Sequence, residues 1–152
     1  MKRRFLLLAA GALPFAARSH HGLGRFDLDR PVFLQGRVTA GKWENPHVEV
    51  MLELPPDYRV PADLATRAVP PQPTGIDGKA LLARAVAPMR RDRRWEIEMA
   101  PLARMEARGI APIPLGATIG VLGYTLKKEK GGPILRAEYV FVDDKVYGMR
   151  PN

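Results

Sequence analysis

His47-Val48-Glu49-Val50-Met51-Leu52-Glu53-Leu54 alternates without a break. Val48, Val50, Leu52 and Leu54 fall on one side of an extended chain, and His47, Glu49, Met51 and Glu53 on the other. Successive side chains of a strand point to opposite faces, so this period marks a half-buried β-strand and not a helix. The register that buries the valines turns His47 outward, which leaves its imidazole available for chemistry.

The same reading extends in both directions. Upstream, Val32-Phe33-Leu34-Gln35-Gly36-Arg37-Val38 places Val32, Leu34, Gly36 and Val38 on one face. Downstream, Trp95, Ile97 and Met99 alternate with Arg94, Glu96 and Glu98. Two further apolar runs, residues 118–126 and 134–142, complete five strands, separated by the charged, glycine-ended turn Lys127 to Gly132. Between the third and fourth strands, Pro101 opens and Gly109 closes a short helix with Leu102, Met105 and Ala107 toward one face, the usual Pro-in, Gly-out arrangement. Five strands with a helix at this place predict an all-β fold with one short helix. The architecture expected is an OB-like five-stranded antiparallel barrel; an open β-sandwich is the alternative. Gly36, Gly120 and Gly123 inside strands suit the tight bends of a small barrel.

Residues 55–93 break the pattern. Prolines 55, 56, 61, 70, 71, 73 and 88 forbid long regular elements, and Gly75 and Gly78 add turns. The stretch reads as a proline-rich insertion, mostly surface loop, with a short strand or helical turn near residues 79–87. Arg90-Arg91-Asp92-Arg93-Arg94 reads as a solvated basic loop tip.

The amino terminus decides the compartment. Met1-Lys2-Arg3-Arg4 is basic, and Phe5 to Ala17 is an apolar run broken by Pro14. Spanning a bilayer takes roughly 20 apolar residues, so this shorter run reads as a signal peptide and not an anchor. With Ala17 and Ser19 at the cleavage positions, residues 1–19 are the expected signal and residues 20–152 a single domain. Cleavage after Ala17 is the alternative. Arg3-Arg4 hints at twin-arginine export beside the ordinary route, and either delivers a periplasmic or secreted protein without a transmembrane segment.

Cleavage after Ser19 removes four positive charges (Lys2, Arg3, Arg4 and Arg18) and no acids, so the net charge of +8 becomes +4. That mild basicity, together with export, argues against nucleic acid as partner. The chain has no cysteine, which rules out disulfides, thiol nucleophiles and thiolate metal sites. Ser19 is its one serine, so cleavage after it leaves no serine nucleophile. No phosphate-cradling or dinucleotide loop and no His-Glu-x-x-His motif occurs. Binding is therefore favoured over catalysis.

All three histidines lie in two short motifs, Ser19-His20-His21-Gly22 and Trp43-Glu44-Asn45-Pro46-His47. A chain beginning at His20 offers its α-amine and ring nitrogen as a chelate. An α-amine titrates near 8, and metal binding pulls it toward deprotonation. A further imidazole from His47 or His21 completes a nitrogen-rich set of the kind copper(II) prefers above other divalent metals. The expected metal ligands are His20, His47 and His21, with copper(II) as the cofactor and a carrier or sensor role. The competing class is an interaction module for a periplasmic protein or envelope ligand, using Trp43, Asn45 and Phe26 with Tyr124 as an aromatic face and no metal. Plain structural roles compete at each position: Asn45 tying a turn, Trp43 packing at the rim, Asp27 and Asp29 capping. Met51 is a remote axial thioether candidate. The oligomeric state is left open.

These motifs, in order, resemble an uncharacterised family of small exported bacterial proteins. The matching residues are His20-His21-Gly22, Phe26-Asp27-x-Asp29-x-Pro31, Leu34-x-Gly36-x-Val38, Trp43-x-Asn45-Pro46-His47, Trp95-Glu96-Ile97-Glu98, Gly123-Tyr124 and Leu135-Arg136-Ala137. The resemblance runs from His20 to Arg150 and is weakest over residues 55–93. It implies export, a small β-rich domain and proximity of the two histidine motifs; it implies no substrate.

Overall fold

The computed structural model of the protein describes residues 22–73 and 75–151. The expected signal peptide, residues 1–19, and the ligand candidates His20 and His21 lie outside the described residues. Among those described, no helix is long and apolar enough to cross a membrane.

The chain is mostly β. Its strands are β1 (Phe26–Lys42), β2 (Glu49–Glu53), β3 (Arg94–Glu98), β4 (Thr118–Leu126), β5 (Ile134–Val142) and β6 (Lys145–Gly148), with helices α1 (Gly78–Arg84) and α2 (Leu102–Ala107). β1 pairs with both β2 and β4, β2 with β3, β4 with β5, and β3 closes onto β5. Five strands thus form a closed ring in the order expected of an OB-like fold.

One pairing departs from the expected all-antiparallel arrangement. β3 and β5 run parallel, with Ile97 opposite Leu135. The reason is arithmetic: strands around a ring of five cannot alternate direction at every step, so at least one neighbouring pair must be parallel. β6 is the other departure. The tail expected after Asp143-Asp144 turns back as a sixth strand along β5, with Asp143 at φ 53° in the turn.

Two close approaches explain the strand glycines. A Cβ on Gly36 would run into the Glu53 carbonyl of β2, and one on Gly123 into the Arg136 carbonyl of β5. Gly123 also sits where the β4–β5 register shifts.

The ring encloses the main core. Val32, Leu34, Val50, Leu52, Trp95, Ile97, Val121 and Leu135 are essentially inaccessible. Met105 of α2 plugs one end, and Leu102 packs beside it half-buried. Ala107, expected on the same face, is exposed, because the helix stops at that residue.

The proline-rich stretch is mostly exposed, as expected of surface loop, but a few of its leucines are buried. Leu64, Leu81 and Leu82 join Phe26, Phe33, Leu122, Tyr124, Ile134, Tyr139 and Phe141 in a second core laid against the outside of the ring. α1 is the element near residue 79, helical and capped at its start by Asp77, whose Oδ1 accepts from the Ala80 amide at 3.0 Å. Gly78 lets that first turn press on the Tyr139 ring, whose hydroxyl donates to the Pro70 carbonyl at 3.0 Å. Proline stops regular secondary structure without stopping burial, which is why the stretch packs although its periodicity is broken.

Candidate functional site

His47 sits half-buried just ahead of β2. It lines a groove of about 370 Å³ at one end of the ring. The apolar wall is Leu23, Met99, Ala100, Pro101, Ala137 and Met149, and the polar wall is Arg104, Tyr124, Arg136, Glu138 and Arg150. Leu23 is one residue past Gly22, which directly follows His21. The chain therefore enters the described residues at the mouth of the groove that His47 lines.

Apart from Tyr124, which lines the same groove, the other candidates disperse. Trp43 is half-buried against the main core, and Asn45 is exposed beside the cis Asn45–Pro46 peptide. Phe26 is 1% exposed in the second core, with the Arg136 guanidinium 5.9 Å over its ring. Tyr124, at 5%, belongs to the same core, and burial raises its hydroxyl pKa. Glu44 pairs with Lys42 at 3.4 Å. Asp27 accepts from the Asp29 amide at 3.3 Å, a local turn contact. Met51 lines a shallow dimple with Gly41 and Lys42, apart from His47.

Apart from Tyr124, sequence reasoning missed the polar wall. Glu138 is 2% exposed. Its carboxylate accepts from Arg150 Nε at 2.9 and 3.1 Å and from Gln72 Nε2 at 2.7 Å. Gln72 Oε1 in turn accepts from the Arg150 amide at 2.8 Å. A residue of the insertion and one of the carboxyl-terminal segment are thereby clamped onto β5. Arg104 of α2 donates to the Met149 carbonyl at 3.0 Å, and Arg108 to that of Arg150. Burial, then the positive charges of Arg108 and Arg136, lowers the Arg104 pKa from its ordinary value. Arg136 lies 3.7 Å from Glu98, whose carboxyl is raised first by burial and then by Glu96 and Glu49, against Arg136 and Arg25. One signal for this wall stood in the sequence: Glu138 interrupts an otherwise apolar stretch between Ala137 and Tyr139.

A second groove of about 580 Å³ runs between residues 54–58 and 87–93. Two of its arginines are spent inside the protein. Arg90 bonds Asp92 and the Glu129 carbonyl, and Arg93 bonds Glu53 and the Leu54 carbonyl. Buried Glu129 also accepts from Arg30 and from the amides of Met89 and Arg90 at 2.7–2.8 Å. The basic loop is solvated over Arg91 to Arg94, as expected, and the Glu129 carboxylate anchors its Arg90 end.

Among the described residues no three His, Asp or Glu side chains converge as a metal cage. What the groove supplies by itself is one imidazole, a polar wall and an apolar wall.

No curated protein and no solved structure matches the chain. Over residues 7–58, a span holding all three histidines, Trp43 and Asn45, it is similar to a family of unknown function (DUF6152).

Proposed function

We propose that the protein is an exported binding protein that holds copper(II) through His47 and the amino-terminal histidines His20 and His21, as a carrier or sensor. One observation carries the reading: Leu23 lines the same groove as His47. An extended chain advances about 3.5 Å per residue, so the two residues from Leu23 back to His21 cover at most about 7 Å. The donors on offer are nitrogens, the chemistry copper(II) favours.

The competing interaction-module reading has less support. Of its aromatic face, Phe26 and Tyr124 are buried in the second core.

The test is copper(II) titration into processed protein, its amino terminus fixed by intact mass, followed by electron paramagnetic resonance. A one-to-one nitrogen-rich tetragonal signal is expected, weakened at least tenfold by His47→Ala and by one extra residue ahead of the terminus. Weak, non-stoichiometric binding unchanged by both alterations would reject it.

A further inference from the structure

We infer that the protein docks on an acidic lipid surface through two loops, residues 87–94 and 127–132, with Met89 entering the lipid and the surrounding cations meeting the headgroup phosphates. The positive charge of the chain is gathered there. Residues 90–94 and 127–130 hold seven arginines and lysines against two acids, whereas the other residues from 22 to 151 hold thirteen against fourteen. Glu129, 3% exposed, joins the two loops: its carboxylate accepts from the amides of Met89 and Arg90 and from Arg30. The Glu96 amide on the Pro133 carbonyl ties their bases together a second time.

Around that joint several cations stay outside. Arg91, Arg94, Lys127, Lys128 and Lys130 are exposed, and among the described residues their side chains enter no hydrogen bond or ion pair. Arg90 and Arg93 do not count toward the patch, because Asp92, Glu129 and Glu53 hold them. Asp57, across the groove from the 87–93 segment, offsets one charge. Left-handed backbone at Lys128 and Glu129 (φ 56° and 49°) takes the carboxylate inward and keeps the lysines out. Each such cation is attracted to an anionic lipid surface, and the attractions add.

Met89 is what favours lipid over a soluble polyanion. It is 60% exposed and directly precedes Arg90-Arg91. Covering it with hydrocarbon is favourable, while flexible arginine and lysine stems lie along the headgroup layer with their charges at the phosphates. Single-stranded nucleic acid draws on exposed rings for stacking, and neither loop has an aromatic residue.

The patch is independent of the copper ligands, so the test uses processed protein in chelator. Vesicles of phosphatidylcholine with about one-third phosphatidylglycerol are compared by sedimentation with pure phosphatidylcholine vesicles, and soluble polyphosphate is titrated beside them. Saturable binding is expected on the acidic vesicles only. Arg91→Gln with Lys130→Gln should weaken it about twenty-five-fold, about fivefold per charge. Lys79→Gln with Lys145→Gln removes the same net charge from exposed positions on α1 and β6, beyond the screening distance, and should change it less than about twofold. Met89→Ser should weaken vesicle binding several-fold and leave any polyphosphate binding unchanged. No preference for acidic vesicles overturns the inference, as does an equal loss in the two paired variants. Unchanged vesicle affinity in Met89→Ser also overturns it and marks a polyanion site instead. Every substituted side chain is exposed, and matching melting temperatures confirm that the fold is intact.

Discussion

At the scale of single residues, the polar wall of the groove is held by one buried carboxylate. Glu138 satisfies Arg150 and Gln72 together, and truncating it takes the carboxylate from a largely buried guanidinium, while the Gln72 amide keeps only its 3.3 Å bond to the Glu138 carbonyl. Glu138→Ala should cost about 3 kcal/mol of unfolding free energy, the usual penalty for breaking a buried charged pair from one side. Urea denaturation measures it, and a loss under about 1 kcal/mol would show the network to be solvated. Glu98 gives a pH-dependent counterpart. Its folded-state pKa is raised, chiefly by burial, so folding favours its protonated form. Its contribution is therefore fullest below the unfolded pKa and is lost as pH rises through the folded one. The melting temperature of Glu98→Gln relative to wild type should accordingly climb between about pH 4 and pH 7. A constant or shrinking difference would contradict the assignment. Of these two residues, alternation alone exposed Glu98 as an outward position on β3. Glu138 was visible only as a charge inside an apolar run, because its partners Gln72 and Arg150 are 66 and 12 residues distant in sequence.

At the scale of elements, alternation served β2 and β3 well, β4 and β5 were legible only as apolar runs buried on both faces, and both signals failed for the segment between β2 and β3. Period-two reading assumes one wet face. Phe33 sits on what would be the outer face of β1, yet it is wholly buried, because Leu64 and α1 cover it. The Arg67 guanidinium lies 5.5 Å from its ring centre. The covering residues are contributed by a stretch whose prolines hide its apolar side chains from any periodic search. Phe33→Ala should therefore cost about 3–5 kcal/mol, as for a core phenylalanine, and not the near-zero loss of a surface site. Asp77→Ala should cost about 1 kcal/mol through loss of the α1 cap. Both follow from chemical denaturation. If Phe33→Ala proves nearly neutral while Asp77→Ala does not, the second core is not packed as described.

At the scale of the whole molecule, the difference between a closed ring and an open sandwich rests on one pairing. The five strand segments were legible from alternation and apolar runs, but closure joins Glu96 to Ile134, Ile97 to Leu135 and Glu98 to Arg136, and no local signal announces a contact across nearly forty residues. The histidine motifs posed the same difficulty: position in the sequence says nothing of the groove that Leu23 and His47 share. Closure also has a direct physical signature. The Glu96 amide donates to the Pro133 carbonyl at 2.9 Å, so it is protected only while β3 lies against β5. In an open sandwich β3 would be an edge, and that amide would face water and exchange rapidly. In the closed ring its exchange should require the same global opening as the β1 amides paired to β4, whereas amides of β6, the true edge of the sheet, should exchange sooner. Native-state hydrogen exchange followed by NMR resolves the two cases. A Glu96 amide as slow as those of β1 supports the closed ring, and one as fast as the outward amides of β6 would open it and take away one wall of the groove.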